Sequence, residues 1–281
     1  MMAGILYLVA TPIGNLGDFT PRAVETLEAA DFIAAEDTRV TLKLLNHLGI
    51  KKSLVSYYEH NKAAQGSRIV ERILGGETCA LVSDAGSPAI SDPGEDLVKQ
   101  CAAAGIPVCA IPGPCAAITA LSISGQATGR FCFEGFLSTA KKSRREHLES
   151  LKSEQRTMIF YEAPHKLLTT LADMAEVFGG DRPLSLCREL TKLHEEVVRT
   201  TLSEAMARYI ENPPKGEFVL IVAGAKPEEK EIPSETDAAA RLAELIAQGL
   251  SRKDAVKQTA KELGLSKNAV YEIALKDSEK E

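Results

Sequence analysis

Short apolar runs that end on loops rich in Gly, Pro, Ser and Thr recur through the first half of this chain, with helical stretches between them. That alternation constrains the fold more than any other feature. Residues 5–10 form the first run and are followed by a loop at 11–15; residues 78–82 enter a loop at 83–88, and 107–111 enter one at 112–115. Thr20 and Pro21 supply an N-cap and a proline at the first helical position, which predicts a helix over 21–30. A short strand is expected at 32–35, and helices over 40–48, 62–74, 95–104 and 116–124, each closed by a glycine. Strand and helix alternating at this spacing require crossover connections and a mostly parallel sheet.

The second half has a different texture. Residues 130–136, 157–161, 184–188, 196–201 and 217–223 read as strands of a second, mixed sheet, with a basic helix at 141–152 and another helix at 164–178. A boundary near Cys115 then gives an α/β domain over 1–115 and a second over 116–224. Residues 225–235 are charged, contain proline and are nearly free of apolar side chains, as a linker would be. Beyond them, 236–281 reads as three helices, about 237–248, 252–263 and 267–276, with Ser251 and Ser266 as N-caps of the last two. Ala260, Gly264 and Val270 have the spacing of a helix-turn-helix whose core Leu263, Leu265 and Ile273 would fill. The segment holds eight Lys/Arg and eight Asp/Glu, so it is neutral, which disfavours DNA reading.

The 281 residues are 44% hydrophobic and 26% charged, ordinary for a globular protein. No apolar run approaches the roughly 18 residues of a membrane span, and no basic segment precedes the apolar start, so no membrane role and no signal peptide are expected. The six cysteines form no C-x-x-C pair and mostly sit among apolar residues, which points to free thiols in the cytoplasm and to no metal site. Cys115, inside a loop, reads either as a nucleophile or as a small packing residue. The net charge of −6 argues against broad electrostatic capture of nucleic acid. Lys141, Lys142, Arg144, Arg145 and Lys152 nevertheless cluster, as a phosphate contact or as a solvated helix face.

In parallel α/β sheets, ligands bind beyond the carboxyl ends of the strands, where all three opening loops fall. None carries G-x-G-x-x-G or G-x-x-x-x-G-K-[ST], and Pro12, Pro88, Pro112 and Pro114 remove N–H groups that a phosphate cradle needs. Tight turns alone would not account for three such loops at one end of one sheet. Glu36-Asp37-Thr38-Arg39 is a dense polar cluster directly after a strand, read equally as reactive or as an N-cap with a salt bridge.

Eight blocks in order resemble one protein family: LYLVATPIGNLGDFTPRA (6–23), AAEDTR (34–39), SYYEHN (56–61), ALVSDAGSPAISDPG (80–94), IPGPCA (111–116), TMIFYEAPHK (157–166), CRELTK (187–192) and KGEFVLIV (215–222). They are similar to the ribosomal RNA small-subunit methyltransferase I family, of the tetrapyrrole-methylase superfamily. Lys166 stands where arginine is common there, and Ser87 where threonine is common.

The resemblance implies an α/β fold: a two-lobed class III methyltransferase with a small C-terminal helical domain. It implies methyl transfer from S-adenosylmethionine to the ribose 2′-oxygen of a cytidine in the decoding region of 16S ribosomal RNA, within the small subunit, by a homodimer. Carried over by position, Pro12, Ser83, Asp84 and Ser87 would lie along the methionine and ribose of the cofactor, and Cys115 and Ala116 along its edge. Glu162, Ala163, Arg188, Glu189, Gly216 and Glu217 would approach its adenine and ribose. A ribose hydroxyl is a weak nucleophile, so a positioned base should help by roughly 10²–10⁴-fold; Glu36, Asp37, Glu59, His60 and Glu162 are the candidates. Arg39 and Asn61, with the basic helix, would contact RNA. Two rivals share part of this evidence: a methyltransferase acting on a tetrapyrrole such as a corrin precursor, and a DNA-binding regulator with a ligand-sensing front half. The TPIGN and YYEHN blocks disfavour the first, the neutral tail the second.

Overall fold

The computed structural model describes residues 4–226 and 234–278. The chain divides into two compact units, Met1–Ala225 and Lys226–Glu281. In the first unit the expected alternation produces strands β1 (Leu6–Val9), β2 (Phe32–Ala35), β3 (Ser53–Ser56), β4 (Cys79–Val82) and β5 (Val108–Ile111). All pair in parallel, in the order β3-β2-β4-β1-β5. Helices α1 (Pro21–Ala29), α2 (Thr38–Leu48), α3 (Lys62–Leu74) and α4 (Gly94–Ala103) make the crossovers.

The two faces of this sheet follow the period-two alternation of its side chains. Leu6, Phe32, Ala34, Cys79 and Leu81 share one core with Ile69 and Ile73 of α3 and Leu97 and Cys101 of α4. Val9, Ile33, Ala35, Ala80 and Val82 face the other way, onto Ala23 and Leu27 of α1 and Leu45 of α2. With helices on both faces, β2 and β4 are buried throughout, and their sequences are accordingly continuous apolar runs.

Residues 112–115 lead from β5 into α5 (Ala116–Ser124), and a second five-stranded sheet follows. Its strands are β6 (Phe131–Phe136), β7 (Thr157–Glu162), β8 (Pro183–Arg188), β9 (Glu196–Thr201) and β10 (Phe218–Val222), in the order β6-β7-β10-β8-β9. Only β6 and β7 run parallel, so this sheet is mixed as expected. One face packs on α6 (Lys141–Ser150), α7 (Leu167–Phe178) and α8 (Leu202–Glu211) through Phe160, Leu171, Leu186 and Leu220. The other carries Ile159, Cys187, Val219 and Ile221 against Ala117, Ala120 and Leu121 of α5.

Two elements escape a pattern reading of the sequence. Strand β3 is a four-residue edge with only two apolar residues. Helix α8 starts at a capping box, in which the Thr201 hydroxyl accepts the Glu204 N–H and the Glu204 carboxylate accepts the Thr201 N–H; T-L-S-E was therefore a usable signal.

The second unit holds α9 (Glu235–Ala247), α10 (Arg252–Leu263) and α11 (Lys267–Ser278). Gly264 adopts φ +65° and donates its N–H to the Ala260 carbonyl, ending α10 as the turn requires. The core centres on Leu242, Leu245, Ala255, Val256, Ala260 and Val270; Leu265 packs at its margin and Leu263 is only half-buried. Most of the expected linker, residues 227–233, lies outside the described residues.

Candidate active site

The three opening loops are stitched to one another at the carboxyl edge of the first sheet. Thr11 and Gly86 exchange backbone hydrogen bonds of 2.9 and 3.0 Å, an isolated antiparallel bridge between otherwise parallel strands. The Thr11 hydroxyl donates to the Ser83 carbonyl at 3.2 Å, and the Ser83 hydroxyl to the Gly86 carbonyl at 3.2 Å. Ser87 reaches the third loop, donating to the Pro114 carbonyl at 3.1 Å. Gly86 sits at φ +84°, a backbone conformation that L side chains rarely adopt. At Gly113, a Cβ would fall 2.8 Å from that of Ala10, so the third loop closes on β1 only without a side chain.

Above these loops opens a cavity of about 570 Å³, within the size range of small-molecule sites. Glu36, Ser83, Asp84, Ser87, Cys115 and Ala116 line it from the first half of the chain, and Glu162, Ala163 and Glu217 from the second. These nine expected residues are thus brought together. Tyr161 and Phe136, 5.4 Å apart between ring centroids, add an aromatic wall that the sequence reading missed. Ile90 and Leu190 add aliphatic surface to the same cavity. Each stands between two residues with positive φ, Ala89 (+67°) and Ser91 (+63°), and Glu189 (+51°) and Thr191 (+64°). Backbone strain of this kind, of order 1–3 kcal/mol per residue, persists where the surroundings over-determine it.

The cavity is acidic. Glu36, Asp84, Asp92, Glu162 and Glu217 line it, and among the described residues no lysine or arginine does. Burial, reinforced by Asp84 and Asp92, raises the Glu36 carboxyl above its ordinary value. Burial also raises Asp92, although its carboxylate accepts the Ala89 and Gly94 N–H groups at 2.9 and 2.7 Å. Glu162 is buried and held in place, accepting the Ala163 N–H at 2.8 Å and the Thr170 hydroxyl at 2.5 Å. Burial pushes the Tyr161 phenol up to about 12, and its oxygen accepts the Ala117 N–H at 3.2 Å. A cavity with this charge suits a compact cation and repels a polyphosphate.

Several expected site residues lie elsewhere, each for a physical reason. Asp37 is the N-cap of α2, accepting the Arg39 N–H at 2.8 Å and pairing with its guanidinium at 2.6 Å. The Arg39 side chain and backbone N–H hold the Asp37 carboxyl down at about 2, which disqualifies it as a base near neutral pH. Its own N–H donates to Asp84 at 3.0 Å, so Asp37 helps place Asp84 instead. Glu59, His60 and Asn61 follow the edge strand β3, outside the cavity. Glu59 pairs with Lys62 at 2.8 Å, His60 lies edge-on to Tyr58, and Asn61 braces the turn through the Tyr58 N–H and the Ser56 carbonyl.

Pro12 lines a smaller neighbouring cavity. Arg188 pairs with Glu196 at 3.2 Å. Glu189 accepts the Glu217 N–H and the Lys192 ammonium, each at 2.9 Å, and a Cβ at Gly216 would strike its carboxyl group. These three residues form the scaffold behind the cavity. Arg144 is buried, its guanidinium 2.6 Å from Asp173 and donating to the Ser138 and Thr139 carbonyls; Arg145 pairs with Asp173 and Glu176. Neither fits the expected phosphate contact, and in that cluster Lys141 and Lys142, at the start of α6, and Lys152, just after it, stand exposed.

Gly14 shows how the two halves meet at the cavity. A Cβ there would lie 2.5 Å from the Lys192 side chain and 3.0 Å from the Leu190 carbonyl. The first loop therefore abuts the 190–192 turn, and that approach requires glycine.

Residues 5–206 match the family described as Tetrapyrrole (Corrin/Porphyrin) Methylases, and residues 233–278 match the RsmI C-terminal HTH domain. A Synechocystis protein named Ribosomal RNA small subunit methyltransferase I is 52% identical over 97% of this chain and 98% of its own length. A Halalkalibacterium halodurans protein of the same name is 52% identical over 96% and 94%. Among solved structures, a Thermus thermophilus uroporphyrin-III C-methyltransferase, described as complexed with S-adenyl homocysteine, superposes with a TM-score of 0.56. It covers 78% of this chain and 97% of its own at 15% identity, and so speaks for the fold alone. The parallel first sheet, the mixed second sheet and the three-helix tail agree with both domain matches, and the chain belongs to the tetrapyrrole methylase family, grouped with the proteins named Ribosomal RNA small subunit methyltransferase I.

Proposed function

We propose that this protein transfers a methyl group from S-adenosylmethionine to the ribose 2′-oxygen of a cytidine in 16S ribosomal RNA of the small subunit. The observation that carries the reading is near-full-length identity of 52% to proteins named for small-subunit rRNA methylation, which includes the tail as well as the fold. The acidic cavity at the carboxyl edge supports the choice of donor. When bound, S-adenosylmethionine supplies an electrophilic methyl on a sulfonium cation, and the carboxylates of Glu36 and Asp84 favour that charge electrostatically. Phe136 and Tyr161 offer flat apolar surface for a purine, and Cys115 and Ala116 let the third loop approach closely.

Glu36 is the base this geometry favours. Its raised pKa makes its carboxylate a stronger proton acceptor than an ordinary one, and it stands beside Asp84. As the oxygen–carbon bond forms and the carbon–sulfur bond breaks, the hydroxyl proton passes to Glu36. Holding the oxygen in line behind the methyl supplies the remainder of the effect.

We take the protein to act in the cytoplasm as a homodimer, with 236–281 as an accessory domain that docks the ribosomal subunit. Incubating the full chain with tritiated S-adenosylmethionine and undermethylated small subunits should label one cytidine, and a tetrapyrrole or DNA offered in parallel should stay unlabelled. Label on the tetrapyrrole instead would overturn the substrate. Deleting 226–281 should raise KM for subunits while leaving affinity for S-adenosylhomocysteine unchanged.

A further inference from the structure

A second cavity, of about 270 Å³, meets the first at Ser83 and Asp84. It runs between the first loop and α2 and has a different character. Pro12 and Leu16 line it from the loop, Val40 and Leu44 from the helix, and Lys43 and His47 complete the helical side. Leu16 and Val40 are 49% and 40% exposed, unusual for apolar residues that line a groove. Arg39, Lys43 and His47 recur every four residues and so share one face of α2, at steps of about 6 Å. Arg39 is engaged by Asp37, whereas Lys43 pairs with no carboxylate among the described residues. The two cavities thus differ in chemistry, with several carboxylates in one and apolar surface edged by Lys43 in the other, and Asp84 shared between them. They touch at the two residues of the loop that would face the transferred methyl.

We infer that the second cavity receives the acceptor nucleoside of a single-stranded RNA segment, with Lys43 holding an adjacent phosphate. The inference rests on the function proposed above and adds where the acceptor enters. Three features fit one occupant. The volume falls just below the range of about 300–1,000 Å³ typical of drug-sized ligands, which suits one nucleoside better than a folded segment. Apolar walls accept the faces of an unstacked base, the form in which sequence-selective proteins read RNA. The free ammonium of Lys43 complements the backbone charge, which an acidic chain of net charge −6 otherwise repels. A nucleoside seated there presents its ribose at Ser83 and Asp84, opposite a donor held in the first cavity.

The test uses the full chain, undermethylated small subunits and saturating labelled donor. Lys43→Glu should raise KM for subunits about 10-fold, the scale of one lost charge-assisted contact, and Lys43→Arg should restore it. Leu16→Ala, at an exposed position, should lower kcat/KM for subunits in the same assay. Both variants should bind S-adenosylhomocysteine, measured by calorimetry, as the wild type does. An unchanged KM in Lys43→Glu overturns the placement while leaving the proposed function standing. Weakened S-adenosylhomocysteine binding in either variant also overturns it, because the groove would then belong to the donor. If the wild type labels no cytidine, the proposed function falls and takes the placement with it.

Discussion

The two halves of the first unit carry the same density of recognisable sequence blocks but use them differently. In the first half, the blocks are loops at the carboxyl edge of a parallel sheet, and Ser83, Asp84, Ser87 and Cys115 line the cavity directly. In the second, the sheet is mixed and its blocks divide: Glu162, Ala163 and Glu217 also line the cavity, while Arg188, Glu189 and Gly216 tie strand ends together. A parallel sheet aims all its strand-leaving loops one way, so a block after each strand converges on one ligand. Antiparallel neighbours send successive loops to opposite edges, so a block there splits between residues that line the cavity and residues that brace its joints.

That contrast can be broken by experiment. The largest effect should come from the second half, on stability. Arg144→Ala removes the buried partner of the Asp173 carboxylate and leaves it only the half-exposed Arg145, so it should cost up to about 3–5 kcal/mol, read from urea unfolding, with affinity for S-adenosylhomocysteine unchanged. Glu36→Gln, in the first half, should do the reverse. Turnover should fall by about 10²-fold or more while the unfolding midpoint holds or rises.

The pH dependence sharpens the same point. The folded chain binds the Glu36 proton more tightly than the unfolded chain, whose value is near 4.5. Raising the pH from 4.5 through the raised native value therefore ionises a group the fold disfavours, and its contribution to stability falls across that window. Activity should climb over the same window as the carboxylate forms, and Glu36→Gln should flatten the stability slope. The smallest effect belongs to Lys192→Met, which removes a partly exposed bridge between Glu189 and Glu217. It should cost less than about 1 kcal/mol. A large loss of turnover there would blur the line between lining and scaffold.

Much of this was legible in the sequence because the signals were local. Thr20-Pro21 started α1 where expected, and the apolar runs at 32–35 and 79–82 became fully buried strands. Gly264 turned the tail as its spacing required. The failures were contacts between distant residues. Nothing near Arg144 announces Asp173, so a basic cluster read either as a phosphate contact or as a solvated helix face includes two arginines, Arg144 and Arg145, tied to it. Glu59 and His60 are base candidates by sequence, yet they follow the edge strand β3, outside the cavity, and strand order is invisible in a linear reading. Tyr161 and Phe136 were passed over because aromatic residues on a strand read as core, whereas the bulge between Phe133 and Gly135 changes the register of β6 just before Phe136.

The bridge between Thr11 and Gly86 has a consequence for how the molecule is made. Thr11 binds Ser83, 72 positions away, and Gly86 beyond it, and β1 finds its two neighbours only in β4 and β5. During synthesis, which proceeds from the N-terminus, the first strand and its loop must wait for most of the first hundred residues. Closing so long a connection is costly before its contacts form, so the pairing of β1 is a slow, late step. The cavity therefore cannot exist in a nascent chain before its first sheet is complete, and its far wall waits longer still, for Glu162 and Glu217 of the second sheet.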